Sequence, residues 1–223
     1  IIPFLQEIAQ NNNREWFNDN KKNYKEALVE FENLMQQLIE RISLFDHDIS
    51  DLTPKSTIFR IYRDTRFSHN KQPYKTHFGA YMAKKGRKSQ YAGYYLHIEP
   101  GNSFLGGGIY RPDATALKKI RQQIDYNAEE LRKIINHSDF KQIYGVLEGE
   151  KLKTSPRDYS PDHPDIDLLN HKDFVATTPF DQHYITEPTF IEASTTKFKA
   201  LNPLVKYLNH AIDYIDEEPV IKF

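Results

Sequence analysis

The sequence predicts a single domain of the α+β class over residues 1–223, in which helices from both the N-terminal and C-terminal parts pack on an antiparallel sheet of about four or more strands. Three observations predict it. Apolar residues recur every three or four positions over 13–43, alternate with polar residues over much of 56–110, and return to helical spacing over 113–217. Strands that follow one another directly are typical of an antiparallel sheet, and the flanking helices can cover one of its faces.

The first predicted helix covers 13–43, either as one helix or as two with a break near Asn20. Asn13 is a favourable N-cap residue, and Glu15 places a carboxylate in the first turn, where it opposes the positive end of the helix. The apolar residues of this stretch share one face, which is predicted to join the core.

Four strands are predicted next, over 57–64, 76–83, 91–99 and 103–110. In the first of them, a period of two places Phe59 and Ile61 on one side of the strand. Arg60 and Tyr62 then lie on the other side. A Pro-Gly-Asn sequence at 100–102 predicts the turn of a hairpin between the last two strands.

Helical segments return after the predicted sheet. They cover 114–124, 128–136, 140–147, 165–170, 190–201 and 204–215. Asn127 and Glu130 form a predicted capping box at the start of the second segment. Asn202 and Pro203 divide the last two, because proline lacks the N–H that a helix interior needs. A proline-rich loop is predicted over 150–164.

The composition excludes several classes of protein. The chain has 30 Lys and Arg against 31 Asp and Glu, a net charge of -1, which argues against a polycation that coats nucleic acid. The absence of cysteine excludes disulfides, thiol nucleophiles and Cys-ligated metal centres. No stretch approaches the ~18 apolar residues of a membrane span. We therefore expect a cytoplasmic protein without a membrane partner.

Basic residues concentrate at 55–77, where the predicted strands would place Arg60, Lys75 and His77 on one polar, aromatic-rich face of the sheet. Arginine and lysine bind phosphate and carboxylate groups, which histidine and tyrosine can orient. The predicted contacts to a small anionic ligand are Arg60, Arg63, Arg66, Lys71, Lys75 and His77. Arg60 and Arg63 cannot face the same side of a regular strand, so one of them is expected to be structural. The alternative is a solvated sheet face that carries surface ion pairs.

Three residues near this face are candidates for acid–base catalysis: His97, Glu99 and Tyr62. His97 and Glu99 alternate on one strand face, ~7 Å apart along the strand. A carboxylate near an imidazole orients it and raises its pKa, as a general base requires. The alternative is that His97 only forms hydrogen bonds within a polar sheet face.

A second cluster of histidine and carboxylate side chains lies at 162–173. Within it, His163, Asp165 and His171 are alternative metal ligands, which would make the protein a metal-dependent hydrolase. The cluster lacks an HxxxH or HExxH motif, and acids also favour the start of a helix. The preferred prediction therefore includes no metal and leaves the cofactor open.

The function predicted from these residues is the binding of a small anionic ligand, with acid–base catalysis as an extension and enzyme status left open. The alternative is a non-enzymatic module that binds nucleic acid or protein through the same basic surface. Gly106, Gly107 and Gly108 lack the spacing of a phosphate-binding loop. They are interpreted as a bulge, or as a place where a helix or ligand approaches the backbone closely.

Four segments of the chain carry a resemblance to a known family. They are FLQEIAQNNNREWFNDNKKNY, FRIYRDTRFSHNKQPYKTHFGAY, YYLHIEPGNSFLGGGIYRP and LKTSPRDYSPDHPDIDLLNHKDF. In this order and spacing, from Phe4 to about Phe174, they resemble the bacterial family called domain of unknown function 2461. The resemblance implies a single compact α+β domain and supplies no reaction. At 156–159 the chain reads PRDY where that family usually reads PRGY.

Overall fold

The computed structural model describes residues 1–214, which contain eight α-helices and one four-stranded sheet. The helices are α1 (Ile2–Gln10), α2 (Arg14–Asp19), α3 (Lys21–Ser43), α4 (Pro54–Thr57), α5 (Ala114–Asn136), α6 (Ser138–Tyr144), α7 (Ile166–Leu169) and α8 (Phe190–Asp213). The strands are β1 (Phe78–Ala83), β2 (Gly93–Ile98), β3 (Phe104–Ile109) and β4 (Phe174–Pro179). All pairs are antiparallel, in the order β1-β2-β3-β4. The predicted α+β class is confirmed.

Residues 13–43 form two helices with a break at Asn20, which is the second of the two arrangements predicted. Asn13 accepts a hydrogen bond from the backbone N–H of Trp16 (2.9 Å) and so caps α2. Asn20 has φ -101° and ψ 19° and separates α2 from α3. Helix α1 was not predicted, and its residues Leu5 and Ile8 are fully buried in the core.

One face of the sheet carries the core. Phe78, Leu96 and Phe174 point to this face and are buried, and helices α3 and α8 pack across it. α8 approaches β3 so closely that a Cβ atom at Gly107 would overlap the side chain of Leu201. This glycine therefore marks the close approach of a helix, one of the interpretations drawn from the sequence.

The strand predicted over 57–64 is wrong. The chain leaves α4 and pairs only through isolated bridges at Ile58 and Tyr62. The backbone N–H of Phe59 donates to the carbonyl of Gly79 in β1 (2.9 Å). Two residues later, the carbonyl of Ile61 accepts from the backbone N–H of Lys75 (2.8 Å), which lies before β1. Because the segment turns away from β1, Ile58 and Ile61 are both buried although they lie three residues apart. A period of two cannot describe such a turn.

The helix α5 joins two segments that were predicted separately. Asn127 has non-helical angles (φ -150°, ψ 58°) and forms a kink between them. Its side chain donates to Glu130 (2.9 Å) and accepts from the backbone N–H of that residue (3.4 Å), so these two residues do interact as a box-like pair. Within residues 1–214, no helix has both the length and the apolar character that crossing a membrane requires.

The C-terminal region departs from the prediction in two places. β4 lies inside the region that was predicted as mainly helical, where it pairs with β3. α8 continues through the predicted break, because Leu201 and Leu204 on either side of the exposed Pro203 are buried. Their burial outweighs the ~3 kcal/mol that a proline costs a helix interior. The last residue of the segment predicted over 204–215 lies outside the described residues.

Candidate functional site

The face of the sheet turned away from α3 and α8 carries polar and aromatic side chains. On β2, Tyr95 and His97 point to this face, while Tyr94 and Leu96 point to the core. The register places Gly79 of β1 opposite His97. The alternation predicted for β2 is therefore the alternation observed, and we call this side of the sheet the open face.

His77, His97 and Glu99 converge at one end of the open face. The ring centroids of His77 and His97 are 4.3 Å apart, and His97 Nε2 lies 3.2 Å from Glu99 Oε2. Glu99 also accepts hydrogen bonds from the hydroxyl of Thr76 (2.7 Å) and the amide of Asn102 (3.0 Å). We call the two histidines and Glu99 the histidine cluster.

The hydrogen bonds around His97 define its tautomer. Glu99 in its ionised form can only accept, so the Nε2–H of a neutral His97 donates to it. The hydroxyl of Tyr95 lies 3.0 Å from His97 Nδ1 and donates to it in this arrangement. Phe104 stacks on the other side of the imidazole, with ring centroids 4.7 Å apart. The ring of His97 is thus held on three sides.

Burial governs the protonation of this cluster. Desolvation, followed by the charge of the neighbouring His97, lowers the pKa of His77 to about 4. Desolvation also lowers the pKa of His97, although Glu99 opposes it, so the predicted rise in the pKa of His97 is wrong. Burial works against ionisation of Glu99, but hydrogen bonds from Thr76, Asn102 and His97 lower its pKa below the ordinary value. Both imidazoles are therefore neutral beside a carboxylate at pH 7.

Lys75 lies beside the histidine cluster, and Arg60 lies on the side of Asp64 and Lys75. Lys75 Nζ stands 5.4 Å from the centroid of the Phe59 ring, which turns to the open face and contacts Tyr95 at 6.4 Å between centroids. Burial, followed by the charge of Arg60, lowers the pKa of Lys75. Arg60 itself is exposed. Of the predicted ligand contacts, Lys75 and His77 are thus near one another.

The remaining basic candidates form their bonds within the loop between Tyr62 and Pro73. Arg63 donates to the carbonyl of Gln72 (3.0 Å), and Lys71 donates to the carbonyl of Thr65 (3.1 Å). Arg66 forms an exposed ion pair with Asp64 (2.7 Å). These three side chains do not join the histidine cluster.

Tyr62 also lies apart from the histidine cluster. Its ring packs edge-on against Phe17 (5.8 Å between centroids) and tilted against Tyr74 (5.5 Å). Phe17 belongs to α2 and is buried in the core. The placement of Tyr62 on the ligand-facing side is therefore a consequence of the wrong strand at 57–64.

The alternative metal ligands at 162–173 do not converge. His163 accepts a hydrogen bond at Nδ1 from the backbone of Asp165 (3.1 Å) and contacts Asp125 through Nε2 (3.0 Å). Asp165 pairs with Arg132 (2.8 Å). His171 is buried and its Nδ1 lies 3.0 Å from the backbone oxygen of Asp173. Each of the three is engaged with a different partner.

A cleft of about 610 Å³ extends along the open face from Tyr95 and Phe104 toward the connection between β1 and β2. Its floor includes Gly106 and Gly108, and its lining includes three cationic side chains. These are Arg87, Lys88 and Arg111. None of the three is among the ligand contacts predicted from the sequence, although the run KKGRK at 84–88 is a basic cluster just beyond 55–77.

A larger groove, of about 1000 Å³, lies between α5, α6 and α8. Its charges are mixed, because Asp139 lines it together with Lys133 and Lys197. Lys133 also pairs with Glu129 (2.7 Å). The groove therefore lacks the uniform positive charge of the cleft on the open face.

The model of one protein family matches the chain over residues 1–207, nearly its full length. The family is described as a conserved hypothetical protein, domain of unknown function 2461. No curated protein and no solved structure matches the chain.

Proposed function

The chain belongs to the family of domain of unknown function 2461, whose description names no reaction, and we propose a function from the site itself. The cleft on the open face binds a small anionic ligand that bears a phosphate or carboxylate group. Arg87, Lys88 and Arg111 contact the anionic group, and the aromatic floor at Tyr95 and Phe104 contacts the rest of the ligand.

The charge of the cleft is the observation that carries this proposal. Its lining contains Arg87, Lys88 and Arg111 and no Asp or Glu. Throughout residues 1–214, none of the three forms an ion pair with a carboxylate. Cations that share one concave surface without acidic partners favour an anion there, since their fields add and low-dielectric walls focus them.

The shape of the cleft favours a small ligand. Its volume lies within the range of ~300 to 1,000 Å³ typical of small-molecule sites, and its floor combines aromatic rings with the backbone of Gly106 and Gly108. A nucleic acid instead requires a basic surface that follows an extended backbone. Arg63, Arg66 and Lys71 bond within their own loop, so they do not extend such a surface from the cleft.

The test is ligand binding to the full chain in buffer that contains a chelator. Inorganic phosphate, phosphorylated metabolites and carboxylate metabolites are compared by thermal shift, and the best ligand is then titrated calorimetrically against wild type and Arg111→Gln. We expect Arg111→Gln to weaken binding about tenfold, less than the loss of a fully buried charged contact does, because Arg111 is exposed. Arg66→Gln removes an exposed arginine outside the cleft and serves as the matched control.

Two results would contradict the proposal. One is that no phosphate or carboxylate compound stabilises the wild-type protein. The other is that Arg66→Gln weakens binding as much as Arg111→Gln does. A single-stranded oligonucleotide in the same assay tests the alternative function, since binding to several phosphates falls steeply with salt concentration.

A further inference from the structure

The histidine cluster has a geometry that the anion-binding proposal does not use. Within residues 1–214, it is the one group of three His, Asp or Glu side chains whose potential ligand atoms converge, all within 4.8 Å of one another. We propose that His77, His97 and Glu99 bind one divalent transition-metal ion. No metal at these residues was predicted from the sequence.

The distance between the ligand atoms of His97 and Glu99 is close to that between two ligands of one metal ion. Two ligand atoms bound ~2.1 Å from one tetrahedral ion stand ~3.4 Å apart, and His97 Nε2 and Glu99 Oε2 are already 3.2 Å apart. The potential ligand atom of His77 lies within 4.8 Å of the other two, and its ring lies against that of His97, so ion binding requires His77 to move closer to them.

The side chains around the cluster hold its ligands as those around metal sites do. A metal-bound histidine places its second nitrogen against a hydrogen-bonding oxygen, and the Tyr95 hydroxyl occupies that position at His97 Nδ1 (3.0 Å). A tyrosine hydroxyl can donate or accept, so it satisfies either tautomer of the imidazole. Thr76 and Asn102 fix the carboxylate of Glu99 in the same way.

The ligand set indicates the class of ion. Two imidazoles and one carboxylate suit zinc and ferrous iron, and cobalt can replace them as a probe. Calcium and magnesium prefer all-oxygen sets. Three protein ligands leave at least one coordination position for water or another ligand, which is the arrangement of catalytic metal sites.

The positive charge of Lys75 disfavours the binding of a metal cation at the histidine cluster. Its ammonium acts on both histidines, while the carboxylate of Glu99 supplies the compensating negative charge. Replacing Lys75 by methionine keeps the length of the side chain and removes the positive charge. The variant Lys75→Met should therefore bind the metal more tightly than wild type, because like charges repel.

Titration of the chelator-treated full chain with Co²⁺, followed by the visible absorbance of the bound ion, tests the proposal. Zn²⁺ binding is measured in parallel by calorimetry. We expect one equivalent per chain, with affinity reduced at least tenfold in His77→Asn and in Glu99→Gln. His163→Asn is the matched control, since His163 also contacts a carboxylate, that of Asp125, at 3.0 Å, but lies outside the cluster. It should bind as wild type does.

Circular dichroism establishes that each variant is folded, and the partly exposed His77 and Glu99 are chosen because His97 is buried. The proposal is overturned if neither ion binds to wild type, if His163→Asn weakens binding as much as His77→Asn, or if Lys75→Met lowers the affinity. None of these results bears on the anion assay, because that assay is done in the presence of chelator and compares wild type with Arg111→Gln and Arg66→Gln.

Discussion

The hydroxyl oxygen of Tyr95 lies only 2.6 Å from the position that a Cβ atom of Gly79 would occupy. The ring of Tyr95 can therefore lie over Gly79 of the neighbouring strand β1. In this position the hydroxyl reaches Nδ1 of His97, two residues further along the same strand (3.0 Å). A glycine on one strand thus orients a histidine on the next one.

The substitution Gly79→Ala is expected to displace Tyr95. An overfilled position of this kind costs about 1 to 3 kcal/mol of the free energy of unfolding, which urea denaturation measures. In the background of Tyr95→Phe the cost should be smaller, because the hydroxyl that makes the closest contact is gone. A double-mutant cycle in which the two effects simply add would show that the residues are not coupled.

A buried network of hydrogen bonds links Tyr94 of β2 to Asn202 of α8 and to Asp46. Tyr94 donates to the buried carboxylate of Asp46 (2.7 Å) and accepts from Asn202 (2.6 Å). Tyr94→Phe removes a hydrogen bond to a charged group and should cost about 2 to 3 kcal/mol, against about 1 kcal/mol for Tyr144→Phe. The hydroxyl of Tyr144 donates to a neutral carbonyl instead (2.8 Å). Equal losses in urea denaturation would contradict this ranking.

The loop from 64 to 72 depends on Arg63, which donates to Gln72 (3.0 Å) and lies close to Ser68 (3.4 Å). Arg63→Met should therefore open the loop, with a local loss of about 1 kcal/mol. Faster amide exchange and faster proteolysis within 64–72 would report it. Arg66→Met, which removes an exposed ion pair, should leave both rates unchanged. Loss of ligand binding in Arg63→Met without any change in the loop would restore Arg63 as a ligand contact.

The spacing of apolar residues correctly predicted those helices and strands that pack against the core along one regular face. α3 and β2 each bury one continuous face, so their apolar residues follow periods of 3.6 and 2. The segment 57–64 imitates the second pattern by chance, because it has no continuous partner strand. α8 was divided at Pro203 because a sequence does not reveal that the residues on either side are buried.

Only those residues of the candidate site that lie on a single strand could be grouped from the sequence. Alternation along β2 placed His97 with Tyr95, and His77, the residue before β1, lies against His97 in the folded chain. Arg87 lies between β1 and β2, and Arg111 follows β3, so only the folded sheet brings them to one cleft. The pKa of His97 was predicted in the wrong direction because burial, which lowers it, cannot be read from a neighbouring carboxylate.

The buried His171 makes stability depend on pH. Its Nδ1 lies against the backbone oxygen of Asp173 (3.0 Å), and its ring stacks on Phe174. Burial, followed by the charge of Lys151, lowers the pKa of His171, although Asp167 and Asp173 oppose them. Below the unfolded pKa of about 6.5, the unfolded chain binds a proton that the folded chain does not, so stability falls as the pH falls.

His171→Asn removes the titrating ring and keeps a donor for the Asp173 oxygen. The unfolding free energy of this variant should therefore fall less between about pH 7 and pH 5 than that of wild type. Urea denaturation in the presence of chelator, at several pH values, measures the difference. His69→Asn is the control, because an exposed imidazole is solvated in both states, and it should follow wild type. A slope in His171→Asn as steep as that of wild type would mean that the buried ring of His171 is not the source of the pH dependence.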